Sequence, residues 1–437
     1  MAKANGARSA AILLNAKTLK RAVSLASLGA AIALPVSAVS AQSDRQAQSV
    51  AERNAPEFSS EPVPVGGFQM FPSVNLDVEY NDNIFATNSN ERDDAIISLR
   101  PDILLVDRRA DRETRINGFA NIRRFVDTTS ENAERFGLNA STRHGIGTGF
   151  EYNLGLRAER SFEQRRDIDS FDIATAEAIS FTNLVANAGV AKEFGPLKLS
   201  AEGRVRAVRF QGDIDVGGTI FDLSFRDLET YRGTVRASFA RSRDQRFYVQ
   251  GSVDKRDTQL APLFEEFVVV DFVDRSSDGY RLEVGYGQQV TELLYLDVRA
   301  GYLQQSFDDP ALNTIDGLSF EADVLWNVTP LTSVLLSAQR RVDETLNPRF
   351  TGLLRTEGRV AVEHELLRNL VLTGRIGYAD LNLGNSDQDG RRWNVGFLAD
   401  YRLDRNWSFL IEAEYFDRTG LNVFTQNSVS ASLRYSF

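Results

Sequence analysis

The sequence predicts an all-β fold: a single closed antiparallel transmembrane β-barrel of about eighteen strands, with short turns at one end and long loops at the other. Three observations carry this. Apolar residues recur at every second position from Phe68 to the last residue. The alternating stretches run about 10 to 13 residues, the length a tilted strand needs to cross a bilayer core with some overhang. The connections between them alternate between short and long.

Residues 1–41 read as a secretory leader. Lys3, Arg8, Lys17, Lys20 and Arg21 form a basic opening without an acid, Ala22 to Val36 is a small-apolar stretch, and Val39-Ser40-Ala41 is an A-x-A-like cleavage site. The brevity of the stretch and Pro35 within it argue against a membrane anchor. Cleavage after Ala41 removes five basic residues and no acid, taking the net charge from −10 to −15. The 437-residue chain has no cysteine, which excludes disulfide frameworks, thiol catalysis, iron–sulfur clusters and cysteine-type zinc sites. Its 2 histidines leave no room for a multi-histidine metal site. An acidic balance without a long basic run excludes a nucleic-acid binder. No cofactor is expected. Residues 42–67, with Pro56, Pro62, Pro64 and Gly66-Gly67, are polar and expected to form a flexible periplasmic lead-in.

The barrel is expected over 68–437. Phe150, Tyr152, Leu154, Leu156 and Ala158 share one face, with Glu151, Asn153, Gly155, Arg157 and Glu159 between them. The same order returns as Leu197/Leu199/Ala201/Gly203/Val205 against Lys198/Ser200/Glu202/Arg204/Arg206. It returns again as Tyr280/Leu282/Val284/Tyr286 against Arg281/Glu283/Gly285/Gly287, and as Trp407/Phe409/Ile411/Ala413/Tyr415 against Ser408/Glu412/Glu414. Strands are predicted near 71–81, 95–107, 113–126, 133–143, 148–159, 181–192, 197–210, 229–241, 246–256, 278–289, 293–305, 317–328, 331–342, 353–366, 370–381, 391–403, 407–417 and 427–437. Aromatic residues gather at strand ends, where rings sit at a lipid–water interface. An even count puts both termini on the short-turn, periplasmic side. The last strand ends on Phe437, with Tyr435, Leu433, Ala431 and Val429 at every second position before it. That pattern resembles the assembly signal of bacterial outer-membrane barrels, so the barrel-assembly machinery, outer-membrane lipid and lipopolysaccharide are expected partners.

The first hairpin carries a more specific likeness. Phe71-Pro72 precedes a strand ending in Glu79-Tyr80-Asn81-Asp82-Asn83-Ile84-Phe85, and Asp93-Asp94-Ala95-Ile96-Ile97-Ser98-Leu99-Arg100-Pro101 follows a polar loop. This resembles the porin type 2 family of outer-membrane β-barrels of proteobacteria, whose members often accompany exopolysaccharide genes. The wording is recognisable over 71–103 and the pattern over most of the chain. The resemblance implies an outer-membrane location in a Gram-negative bacterium. It also implies a link to exopolysaccharide or its export proteins, and it brings no catalytic motif.

Eighteen strands enclose more space than side chains fill. The inward faces are expected to line this lumen with Arg157, Arg204, Arg206, Arg236, Arg281, Arg299, Arg359 and Arg375, against Glu202, Glu283, Asp297, Glu321, Asp323 and Glu357. Dry burial of so many charges would cost several kcal/mol each, on the order of a buried ion's desolvation, and a water-filled bore removes that cost. Two readings of these charges stand: a solvated ion-pair ladder, favoured because both signs are mixed and no single-sign row emerges, and a selectivity surface for a charged or hydroxyl-rich solute. Inward glycines such as Gly155, Gly189, Gly285, Gly287, Gly301, Gly377 and Gly396 are expected to let the wall curve and widen. Among the long loops, 160–180 is a candidate constriction, and the apolar run Phe267–Val273 reads as a hairpin protruding above the membrane, with inward folding as the alternative. His144 and His364 fall at the periplasmic end without an acid or serine partner, so no enzyme is expected. Asp93-Asp94 and Asp308-Asp309 lack calcium-loop spacing and read as solvated charge. Two functional readings follow: a passive channel for hydrophilic solutes, and a structural or surface-interaction barrel whose long loops bind a partner without transport.

Overall fold

The computed structural model describes residues 48–53, 55–168, 178–216, 219–265, 268–343, 345, 352–384 and 389–437. The expected leader at 1–41 and residues 42–47 lie outside them. Eighteen long strands follow in order. They are β1 Phe68–Asn81, β2 Asp94–Arg108, β3 Arg112–Phe125, β4 Ala133–His144, β5 Phe150–Phe162 and β6 Ser180–Phe194. Next come β7 Leu197–Gln211, β8 Leu228–Ala240, β9 Gln245–Thr258, β10 Ser277–Thr291, β11 Leu294–Phe307 and β12 Ile315–Thr329. The last are β13 Thr332–Asp343, β14 Leu353–Leu367, β15 Leu370–Leu383, β16 Asp389–Arg402, β17 Trp407–Thr419 and β18 Phe424–Ser436.

Each strand pairs antiparallel with the next, and β1 pairs with β18 from Ser73↔Ser436 to Asn81↔Ser428. That last pairing closes the sheet and removes the edges that lipid could not satisfy. Every alternating stretch of the sequence becomes one of these strands. Most run slightly longer than the pattern predicts, because backbone pairing continues where the apolar alternation has already stopped.

The alternation is turned inside out relative to a soluble protein. On β1, Leu76, Val78 and Tyr80 are about half exposed on the outer surface, whereas Asp77 between them is 4% exposed. This is the arrangement lipid outside and polar groups inside demand. At the short-turn end the rings form a girdle: His144 stacks on Tyr152 at 4.8 Å, and Tyr435 lies 4.6 Å from Trp407 and 4.7 Å from Phe437. At the long-loop end, Tyr80 and Tyr302 donate to Asp93 and Asp316. Val429, Ala431 and Leu433 all face outward on β18, and the Phe437 N–H donates to the Pro72 carbonyl across the closure at 3.1 Å.

Apolar packing in the interior gathers at the loop end rather than in the middle of the barrel. Ile179, Val208, Phe210, Leu223, Phe225, Leu228, Ala261 and Val273 form one cluster. The apolar loop run does form a hairpin, with strands Ala261–Glu265 and Val268–Val273, and its base is buried in that cluster. Phe267 lies outside the described residues. A second hairpin, Asp213–Val216 with Thr219–Asp222, occupies the preceding loop and has no counterpart in the sequence reading.

The lead-in differs from the flexible segment that its composition predicts. Val63–Val65 pairs with the start of β1, and two single 3₁₀ turns, Val50–Glu52 and Pro56–Phe58, precede it. The physical reason is external to the segment: the short-turn rim offers it polar partners that its own sequence does not announce.

Candidate functional site

The candidate site is the lumen, built from the inward residues of every strand. Ion pairs along one strand, between neighbouring strands and across an intervening strand cover much of its wall. Glu159 accepts from Arg157 at 2.8 Å and from Arg135 at 3.0 Å. Arg299 bridges Glu283 at 3.3 Å and Glu321. Glu357 accepts from Arg359 at 3.2 Å and Arg392 at 3.3 Å. Arg375 reaches Glu412 and, at 3.5 Å, Glu414. Arg206 donates to Asn183 at 3.2 Å, and Arg236 donates to Gln250 at 2.8 Å while its guanidinium stands 4.4 Å over the Tyr248 ring. Asp297 accepts from the Tyr248 hydroxyl at 2.6 Å and pairs with Arg246. Glu202 and Arg204 share the inward face of β7, and Arg281 sits two positions from Glu283 on β10. Asp323 stands across from Asp297 in the β11–β12 register and is exposed to the bore. On their strands these arginines and carboxylates alternate with the outward apolar rows.

The inward glycines correct an expectation. They do not widen the bore, because a partner side chain from the next strand lies over six of the seven gaps. Asn187 covers Gly155 and Asn153 covers Gly189, reciprocally, between β5 and β6. Tyr248 covers Gly285, Arg246 covers Gly287, Asn394 covers Gly377 and Arg375 covers Gly396, each from the directly paired position. Gly301 instead meets the backbone of Leu282 and Glu283. The missing side chains are legible along one strand; the neighbours that need the room are not, because they lie on the next.

The bore is crossed at its outer mouth. The loop after β5 leaves the wall at Glu163, whose carboxylate takes both Nη atoms of the fully buried Arg226 at 2.6 and 3.1 Å. Arg165 pairs with Glu131 at 2.7 Å. Arg166 then reaches Glu414 on β17 at 3.1 Å and stands 5.6 Å over Phe416. Ile168 packs with Leu353, Ala379, Leu381, Leu383 and Leu421 on β14, β15 and the last loop. From β5 to β14 is half the circumference, so residues 163–168 span the mouth. The Asp167 carboxyl, held in this bar, is pushed up to about 6 by burial and then by the Glu163 charge, against the Gln164 N–H and the Arg166 and Arg418 charges. Asp169 lies outside the described residues.

The remaining candidate groups have structural partners. Asp94 accepts from the N–H groups of Val126, Asp127 and Thr128, and Asp309 from Ala311, which is loop capping. His144 and His364 each hydrogen-bond a threonine, Thr142 and Thr332.

Comparison with known proteins brings one family and a set of barrels. The family described as "Putative beta-barrel porin 2" matches residues 55–437. No curated protein matches the chain. Among solved structures, the chain is similar to the outer membrane protein OpdK from Pseudomonas aeruginosa, with 13% identity, 84% of this chain and 99% of that one covered, and a TM-score of 0.44. It is similar to OccAB3 from Acinetobacter baumannii, with 9% identity, 85% and 100% covered, and a TM-score of 0.46. A BenF-like porin from Pseudomonas fluorescens Pf-5 gives 10% identity, 84% and 99% covered, and a TM-score of 0.45.

Proposed function

The chain belongs to the β-barrel porin 2 family, and from that premise we propose that this outer-membrane barrel is a passive channel for hydrophilic solutes. The observation that carries the reading is the inward wall: charged rows of both signs line it, with Asp323 open to the bore, while the apolar rows face outward. Such a wall is stable wet and unstable dry. Mixed signs favour passage of solutes by size and hydration over strict selection of one charge. Delivery by the leader, cleaved after Ala41, completes the route to the membrane.

A role in exopolysaccharide export is part of the same proposal, supported by the likeness in the first hairpin. The lumen lends it little. Inward rings that could stack on sugars already carry guanidinium groups: Arg135 over Phe119, Arg123 over Phe125 and Phe162, Arg236 over Tyr248. One observation favours the alternative, a barrel whose loops bind a partner: the outer mouth is spanned by packed loops. Purified protein in a planar bilayer separates the two. Discrete ionic conductance supports the channel; silence at all voltages from demonstrably folded barrels supports the alternative. If polymer is the solute, oligosaccharide reversibly blocks the current, and loss of the protein traps polymer in the periplasm.

A further inference from the structure

We propose that residues 48–53 and 55–62 form a gate on the periplasmic mouth, docked on the barrel in this structure and released to widen the passage. The inference rests on the channel reading and adds its regulation.

The segment has two differently held ends. Its C-terminal end is tied to the barrel, since Val63–Val65 continues as a strand beside β1. From there the chain runs back along the short-turn rim: Glu61 pairs with Arg405, Glu57 pairs with Arg368 at 2.7 Å, and Arg53 donates to the Pro330 carbonyl. These three partners sit on three successive periplasmic turns, those between β16 and β17, β14 and β15, and β12 and β13. The strap therefore follows about a third of the rim before it turns inward.

Its N-terminal end lies inside. The 3₁₀ turn at Val50–Glu52 presents its backbone to inward residues of β12, β13 and β14. The Val50 N–H donates to Ser333 Oγ at 2.8 Å, the Ala51 N–H donates to Glu363 Oε2 at 2.8 Å, and Asn327 Nδ2 donates to the Gln48 carbonyl at 3.2 Å. Ser333 in turn donates to Asn327 Oδ1 at 2.6 Å. The docking is close, for Ser49, Ser333 and Glu363 are each 0% exposed and Val50 is 3% exposed. Along the ion-paired rows described above the wall is covered by its own strands; here the cover is a separate piece of chain.

The chemistry of the contact suits release. Among the described residues the strap buries small apolar side chains, Val50 and Ala55, its inner end is held by polar contacts to β12, β13 and β14, and the rim pairs are exposed and open to screening by salt. A permanent plug would be expected to bury an apolar face. The strap also enters the bore from the side opposite the 163–168 bar, so the two obstructions act at different mouths.

The test uses three forms of the mature chain in planar bilayers. These are the parent, a form lacking residues 42–60, and Val50→Cys with Ser333→Cys in this cysteine-free background, where backbone-to-hydroxyl contact puts the two positions within disulfide reach. The segment lies against the inner wall at this mouth, so its removal is expected to raise conductance, on the order of twofold. Oxidised double-cysteine protein should conduct no more than the parent and show fewer large openings, and reductant should reverse the change. Equal conductance and gating in all three folded forms would overturn the gate while leaving the channel. Silence in all three removes the channel reading and the gate together.

Discussion

Replacing Arg166 by alanine should free the bar across the outer mouth. Arg166 Nη1 lies 3.1 Å from Glu414 Oε2, and the two side chains are 12% and 7% exposed. A hydrogen bond to a charged group in such a setting contributes about 1.5–3 kcal/mol. The guanidinium over Phe416 adds about 0.5–1 kcal/mol. Together they give about 2–4 kcal/mol, which at about 1.4 kcal/mol per decade raises the undocked population about 30- to 1,000-fold. Arg375 remains 3.5 Å from Glu414 and keeps its carboxylate paired, so the lower half of that range is expected. Single-channel recording reads the change as longer dwells in a larger conductance state, and limited proteolysis reads it as faster cleavage within 163–179. Unchanged dwell times and unchanged cleavage in the folded variant would refute the claim that this contact holds the bar.

Three further outcomes follow from the same geometry. Burial holds the Asp167 pKa at about 6, above its ordinary carboxylate range, so the docked bar prefers the protonated acid; docking is strongest below about pH 4 and weakens as pH rises through about 6. Conductance should therefore fall on acidification across that window, and Asp167→Asn should flatten the profile; a profile that Asp167→Asn leaves unaltered contradicts this. Gly285→Ala places a methyl where the Tyr248 ring lies and should cost about 1–3 kcal/mol in urea unfolding from lipid, with Tyr248→Ala restoring most of it. If the double variant is no more stable than Gly285→Ala, the covering role of Tyr248 is wrong. Deleting Phe437 should lower the fraction of heat-modifiable, folded barrel in the outer membrane, and an unchanged fraction would deny the terminal ring a part in assembly.

The strands were legible because the period-two pattern is local: a lipid-facing row and a bore-facing row must alternate whatever the rest of the chain does. Closure was legible too, since Val429, Ala431, Leu433, Tyr435 and Phe437 continue the pattern to the last residue. The contacts that shape the bore were not. Arg166 meets Glu414 from 248 positions away, and Val50 meets Ser333 from 283, with no local signature at either end. The inward glycines misled for a related reason. A missing side chain reads as empty space along one strand, and only the register with the next strand shows Asn187 or Tyr248 lying in it.

A cysteine scan along Glu321–Leu325 on β12, recorded as bilayer current during exposure to a charged, water-soluble thiol reagent, tests most directly that one row of side chains meets lipid while its neighbours meet water. Current should drop at positions 321 and 323, whose native acids face the bore, and hold steady at 322 and 324, which face out. Equal reactivity at consecutive positions, or a drop confined to 322 and 324, would contradict the barrel's inside and outside as assigned.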